Sequence, residues 1–455
     1  MNGQTNIADL LQALKDAKQI SDPKMPDALA KATFSQSNSA TTGLTFYDLE
    51  PGAKFLYPVL TPLRNMIPRV SGRGGIQANW KAVTAINTSQ VRIGLSGGNR
   101  GAVQAVSVAD YNAAYKGIGL ESNVDFEAQY AAQNLIDVRA VAGRTGLEAL
   151  MLAEELMILS GNGSLQLGTC TTPTVTVSAS GGTLAATIYV KCVALTHIAL
   201  ISASIASGVP TTITRTNADG SSDTINGGGG QTSAGATATI ASGTTNSVTA
   251  TVPGQRGALA YAWYWFTTAG SEVLGAITTI PKVVITAAAA GTQLASTQSA
   301  DRSTDSLSFD GLITQAFKTG SNAYWADLAG ATLTGDGAGS IVEIDAALKD
   351  RWDNYRLSPD TMWVSSQQAL DISKKILAGN SNGAFRININ QEQGMMAGGI
   401  MVVTYLNRFS MSGAKNIDIK IHPNRPSGTI LMTTSALPYP LSNVGNVFQI
   451  VCRQD

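Results

Sequence analysis

The sequence predicts an α+β fold cut in two by an all-β insertion, and three stretches carry that reading. Residues 125–164, DFEAQYAAQNLIDVRAVAGRTGLEALMLAEELMILSGNGS, are rich in Ala, Leu, Met, Glu and Gln and read as helix throughout. After Gly163 the composition shifts abruptly to Thr, Ser, Ala and Gly, and from Cys170 to Ala300 the only charged residues are Lys191, Arg215, Asp219, Asp223, Arg256, Glu272 and Lys282. From about residue 306 the earlier style returns.

The chain begins with a short amphipathic helix over residues 6–20, with Ile7, Leu10, Leu11 and Leu14 on one side. Residues 1–65 as a whole read as an N-terminal arm, because Pro51, Pro58, Pro62 and Pro68 forbid a long helix. Residues 66–120 form the next unit. GGIQANWKAVTAIN and QAVSVADYNAAYKGIG alternate and are β-rich, with RIGLSGGNRG between them, so a long two-stranded excursion with a Gly-rich tip is expected. Its charge is lopsided: Arg69, Arg73, Lys81, Arg92, Arg100 and Lys116 stand against Asp110.

The helical stretch that follows would make a rod of about 55 to 60 Å if unbroken, with Ser122 as a cap and a bend at Gly143 and Gly146. Leu147, Leu150, Met151, Ala153, Leu156, Met157 and Ile158 give a broad apolar face, and Glu148, Glu154 and Glu155 are expected to stay wet. A basic excursion and an acidic rod in one chain are complementary. Pairing between copies through Arg69, Arg73, Lys81, Arg92 and Arg100 on one side and Glu148, Glu154 and Glu155 on the other is the expectation, each exposed pair contributing about 0.2 to 1 kcal/mol.

Within residues 169–305 the runs TVTVSAS, ATIYVKCVAL, TTITRT, ATATIA, NSVTATV, LAYAWYWFT and EVLGAITTI alternate and are separated by turns such as NADGSSD and TAGSE. Strands at this spacing predict a β-sandwich. Tyr261, Trp263 and Trp265 share a strand face and Cys192 lies on an alternating strand, so Tyr261, Trp263 and Cys192 are assigned to the sandwich core. The hairpin around residues 268–271 resembles the last hairpin of an immunoglobulin or fibronectin-type module. NGGGGQTSAG lacks the Lys-Ser/Thr of a phosphate loop.

Beyond the insert, residues 306–340 return to the first body, and AGSIVEIDAALKDRWDNYRL reads as a helix with Ile341, Ile344, Ala347, Leu348 and Trp352 on one side. A strand at 361–364, a cap at Ser365 or Ser366 and a helix with Leu370 and Ile376 inward come next. Residues 379–396 read as loop, GIMVVTYLN as a buried strand, and NIDIKIHP, GTILMTTS and the closing NVFQIVCRQD as further strands. The lengths before about 165 and after about 305 each look incomplete, so the insertion sits at an exposed turn of one discontinuous body.

LAEELMILSGNGS, an Ala-Glu-acidic-apolar run stopped by a Gly-Asn-Gly turn, resembles the end of the long spine helix in the major capsid proteins of tailed double-stranded DNA phages. The order arm, long β excursion, spine helix, then strand, Ser cap and helix is similar to that family, whose fold herpesvirus and encapsulin shells share. The resemblance covers about 320 residues outside the insert. It implies a peripheral domain at 121–168 and 306–340, an axial domain at 341–440, a C-terminal strand at 441–455 returning to the peripheral domain, an extended loop lying over an adjoining subunit, and an immunoglobulin-like insert on the outer surface. It also implies homo-oligomeric hexamers and pentamers, portal and scaffolding partners, non-specific contact with packaged DNA, assembly in the host cytoplasm and a virion location. Some members weld their shells through a loop lysine; Lys81 is the lysine well inside this loop, and no Asn or Glu stands out as its partner.

Hydrophobic residues make up 44% of the chain, charged residues 14%, and the formal net charge is zero. Weakly charged surfaces associate, and a dedicated nucleic-acid reader would carry a basic excess. Cys170, Cys192 and Cys452 are too scattered for a disulfide framework or zinc site, and reduced thiols are expected. The sequence has neither a signal-peptide start nor a long apolar run, so no membrane association is expected. His197 and His422 sit in no metal-ligand spacing, and no nucleophile elbow or HExxH motif occurs, so neither enzymatic activity nor a cofactor is expected. His422 reads as a surface or satisfied loop residue. An encapsulin-like compartment and a surface or tail adhesin are the alternative functions.

Overall fold

The computed structural model describes residues 56–72, 74–132, 136–378, 402–411, 413–437, 439 and 441–452. The expected helix at 6–20, most of the N-terminal arm, Arg73, the loop at 379–396 and the start of GIMVVTYLN lie outside the described residues. The chain divides into two compact units, Met1–Tyr57 with Val124–Ala142, and Pro58–Asn123 with Gly143–Asp455. In the first, the described residues form helix α2 (Phe126–Ala131), with Asp125 rather than Ser122 at its N-cap, and the opening of a longer helix α3 (Val138–Ser160). Asp137 caps that opening, its Oδ1 accepting from the Arg139 and Ala140 N–H groups at 3.0 and 3.1 Å. The expected single rod is therefore two helices. The interruption lies ahead of Asp137, whereas Gly143 and Gly146 sit inside α3.

The second unit is mixed α and β. It opens with α1 (Pro62–Met66), where the expected extended arm instead turns once into helix with Pro62 in the first turn, the position at which a missing N–H costs nothing. Strand β1 (Arg69–Ser71) leads to the two-stranded ribbon of β2 (Gln77–Ile86) and β3 (Val106–Ala114). After α3, the insert contributes β4 (Thr174–Ser178), β5 (Ile188–Leu195), α4 (His197–Ser202), β6 (Thr212–Thr216), β7 (Ser222–Asn226), β8 (Ala236–Ala238), β9 (Ser247–Thr251), β10 (Ala260–Phe266), β11 (Val273–Thr278) and β12 (Lys282–Ile285). The remainder holds α5 (Leu312–Phe317), α6 (Val342–Tyr355), β13 (Thr361–Val364), α7 (Ser366–Ala378), β14 (Thr404–Asn407), β15 (Lys415–Ile421), β16 (Ile430–Thr433) and β17 (Ile450–Cys452).

The insert is a sandwich of two sheets, ordered β11-β10-β5-β8 and β12-β9-β4, with β6 and β7 forming a separate ribbon. Cys192, Tyr261, Trp263 and Trp265 pack with Val248, Ala250, Val283 and Ile285 across the two sheets, as the alternation predicted. Their polar tips are met: the indole N–H of Trp263 donates to Thr278 Oγ1 at 2.8 Å, that of Trp265 to the Ala287 carbonyl at 3.0 Å, and Tyr261 Oη accepts from the Gln255 N–H at 2.9 Å. Two features differ from expectation. One further strand, β12, follows the β10–β11 hairpin and joins the opposite sheet beside β9. The outer face of β10 is also covered, with Ala260, Ala262 and Tyr264 packed among Val193, Leu195 and Ala199, the last from the unforeseen helix α4.

The two lengths flanking the insert complete one body. Leu63 and Ile67, Ile158 and Leu159 of α3, Ile313 of α5 and Trp363 of β13 form one core, and β1 pairs in parallel with β17, Arg69 opposite Ile450. Strand β13 is central to a second sheet, ordered β14-β15-β13-β16. Its alternate residues Met362 and Val364 face Ile344 and Leu348 of α6 and Ala369 and Ile372 of α7, while Trp363 faces the first core. Ser365 Oγ accepts from the Gln368 N–H at 3.3 Å, the expected cap. Leu370, expected inward, is exposed, because Ala369, Ile372 and Ile376 occupy the inner stripe; β14 is half exposed rather than buried, as an edge strand is.

The insert's ends meet at the SGNG turn. Asp310 accepts from the N–H groups of Gly163 and Ser164 at 2.8 and 3.0 Å, and Asn162 Nδ2 donates to the Ser303 carbonyl at 2.9 Å. A Cβ on Gly161 would lie 2.3 Å from the Phe309 carbonyl oxygen, so the closure requires glycine there. The insert is not a free passenger, however. Leu259 enters the first core and Thr279 Oγ1 hydrogen-bonds Ser427 Oγ at 2.9 Å.

Glu155, expected wet, has no solvent exposure. Its Oε1 accepts from the Leu63 N–H at 2.9 Å and from His422 Nε2 at 2.7 Å, and its Oε2 accepts from the Arg64 N–H at 2.7 Å. The Asn424 N–H donates to His422 Nδ1 at 3.2 Å, which leaves the ring proton on Nε2. The acid thus caps α1 from another helix, since Thr61 makes no side-chain cap bond. Glu155→Ala would leave two backbone donors and an imidazole unpaired, and should lower unfolding free energy in urea by about 3 to 5 kcal/mol. Glu155→Gln, which keeps one carbonyl acceptor, should cost less. Equal stability of Glu155→Ala and wild type would show that the junction contributes nothing.

Candidate interaction surface

Cross-strand pairing builds the β2–β3 ribbon: Trp80 lies opposite Tyr111 with rings stacked at 5.9 Å, Lys81 opposite Asp110 with an ion pair at 3.4 Å, and Val83 opposite Val108. A register shift between Val83 and Ala85 follows, after which Ile86 lies opposite Val106. Asn87 closes the tip, its Nδ2 donating to the Val103 carbonyl at 3.0 Å and its Oδ1 accepting from the Ala105 N–H at 2.8 Å.

An isolated two-stranded ribbon is marginal in water, and this one carries a heavy apolar load. Trp80, Val83, Ile86, Val91, Leu95, Val106, Val108 and Tyr111 are all exposed, Val103 is 88% exposed and Ile93 fully so. So many exposed apolar side chains make the ribbon a candidate contact surface. Arg92 and Arg100 stand exposed at the tip, and among the described residues neither makes an ion pair.

The other residues expected at contacts between copies are placed differently. Arg69 pairs with Glu154 of its own chain, and Arg64 Nε also donates to Glu154 Oε2 at 2.8 Å, so Glu154 is already neutralised. Glu148 pairs with Arg144 one turn away at 2.9 Å. Glu155 is sealed in the junction and reaches no surface. The basic set is therefore not one patch: Arg69 serves the base, Lys81 the ribbon's middle, and Arg92 and Arg100 its tip. Among the described residues no group of His, Cys, Asp and Glu could hold a metal, and no helix is long and apolar enough to cross a membrane.

His422 and His197, read as unremarkable from sequence, both lie in the interior. Ser160 Oγ and His197 Nδ1 are in hydrogen-bond contact, joining the end of α3 to α4. Burial, with the nearby Arg425 guanidinium and His422, pushes the His197 ring down from 6.5 to about 4. The native chain therefore holds His197 neutral where the unfolded chain takes up a proton. The stability this gives is complete above pH 6.5 and is lost as pH falls towards 4. Wild type should lose about 2 kcal/mol between pH 7 and 5 beyond what His197→Gln loses, measured by urea titration. Parallel pH profiles for the two would refute the assignment.

In comparisons with known proteins, no family model, no curated protein and no solved structure matches this chain.

Proposed function

We propose that the chain is the major capsid protein of a tailed double-stranded DNA phage, polymerising into hexamers and pentamers of an icosahedral shell. The observation that carries this reading is the apolar ribbon β2–β3, exposed along its length and tipped by Arg92 and Arg100. A surface of that kind needs a covering partner, and in a shell the adjoining copy supplies it at every contact. The ribbon stands for the extended loop, α3 for the spine helix, the shared core with the β1–β17 pair for the peripheral domain, and the β14-β15-β13-β16 sheet with α6 and α7 for the axial domain. Low charge and zero net charge support a chain whose surface is spent on neighbours. Scaffolding and portal proteins and non-specific contact with DNA belong to the same proposal.

Negative-stain microscopy of the expressed chain, with scaffold supplied where needed, tests it: closed shells are expected, and a soluble monomer at every concentration refutes it. Shells that protect protein cargo and no nucleic acid from the producing phage would point instead to an encapsulin-like compartment. Ile93→Asp with Val103→Asp, and separately Arg92→Glu with Arg100→Glu, should abolish or sharply reduce shells while shifting monomer stability by no more than about 0.5 kcal/mol. Undiminished particle yield from both variants would remove the ribbon from assembly.

A further inference from the structure

The end of α3, helix α4 and the loop after β15 line a depression of about 340 Å³ that is largely open to solvent. Leu156, Leu200, Ile201 and Pro423 give it apolar walls, and His197 and Arg425 line it as well. Arg425 is only 7% exposed. Its Nε donates to the Thr429 carbonyl at 3.3 Å, whereas Nη1 is buried with no hydrogen-bond partner among the described residues.

A guanidinium remains charged at neutral pH, and burying a charge without a counter-charge is strongly unfavourable. Nothing within the cluster supplies the missing negative charge. The Glu155 carboxyl is already engaged by Leu63, Arg64 and His422, and His197 is neutral. Among the described residues Arg425 makes no ion pair, and burial alone perturbs it, lowering its pKa to about 9.

We propose that this depression binds a small organic monocarboxylate, its carboxylate on the Arg425 guanidinium and its apolar body against Leu156, Leu200, Ile201 and Pro423. A carboxylate accepts a charge-assisted hydrogen bond from a guanidinium and supplies the opposite charge that Arg425 lacks among the described residues. The apolar walls favour such an anion over bare phosphate, which would give up hydration and gain no apolar contact. The site is independent of any role in a shell.

Isothermal titration calorimetry of the full chain at pH 7 tests it with benzoate, its neutral isostere benzamide and inorganic phosphate. Benzoate should bind at least about tenfold more tightly than either of the others, a difference of about 1.4 kcal/mol. Arg425→Met should erase the preference for benzoate over benzamide and raise the melting temperature of the unliganded chain. Ile201 is more than half exposed at the depression's rim, so Ile201→Trp should fold normally and block benzoate, which keeps the test valid if Arg425→Met fails to fold. Equal affinity for benzoate and benzamide, phosphate binding as tight as benzoate, benzoate binding unchanged in either variant, or no binding of any probe would overturn the proposal.

Discussion

A carboxyl group shut away from water, Glu155 near the end of α3, accepts from two backbone N–H groups of α1 and from the imidazole of His422. Those partners lie 92, 91 and 267 residues away along the chain, so the acid is satisfied only when two remote segments, α1 and the turn after β15, are both docked on α3. Hydrophobic contact alone is non-directional and would allow α1 to slide on α3. A buried acceptor with fixed donors does not, because every other register leaves polar groups unpaired in the interior. The tryptophan beside it extends the arrangement. Trp363 meets the His422 ring edge-on at 6.0 Å and sits on the strand whose opposite face fills the other core.

This junction also explains how a long insertion is accommodated. The insert leaves and returns at a turn fixed on both sides: by the α3 end that carries Glu155, and by Asp310, which holds the N–H groups of Gly163 and Ser164. With both ends anchored at one place, the interposed residues can form their own sandwich without pulling the flanking body apart. The sandwich nevertheless returns contacts to that body through α4, Leu259 and Thr279. The second face of β10 is covered from within the insert, by Ala199 of α4 with Val209 and Ala295.

Much of this was legible where neighbours in sequence decide the outcome. The ribbon, the strand at Thr361–Val364 with its Ser365 cap, and the inward face of Trp263 and Cys192 follow from alternation and capping chemistry alone. The burial of Glu155 was partly written in helical phase: Met151, Glu155, Ile158 and Leu159 recur at one stripe's spacing, and reading the residue's charge before its phase put it outside. Leu370 fails in the opposite sense, an apolar residue off the stripe of Ala369, Ile372 and Ile376. Nothing near His422 or Arg425 announces a partner, because what surrounds them comes from α3 and α4. The pairing of Arg69 with Glu154 was foreseen in its charges and missed in its address, since complementarity does not distinguish one's own chain from a neighbour's.

The register shift in the ribbon has a geometric result of its own. One extra residue in β2 reverses which of its side chains point to either side, so Ile86 comes to rest with Val83, Val106 and Val108, while Trp80 and Tyr111 stay with Ala82, Ala109 and Ala85 on the reverse. The ribbon is thus two-sided in texture, with aliphatic side chains beside the Lys81–Asp110 pair on its back and, on its front, the Trp80–Tyr111 pair beside small residues. The two faces of the ribbon are therefore not interchangeable, and the register shift rather than the strand ends decides which residues each face presents.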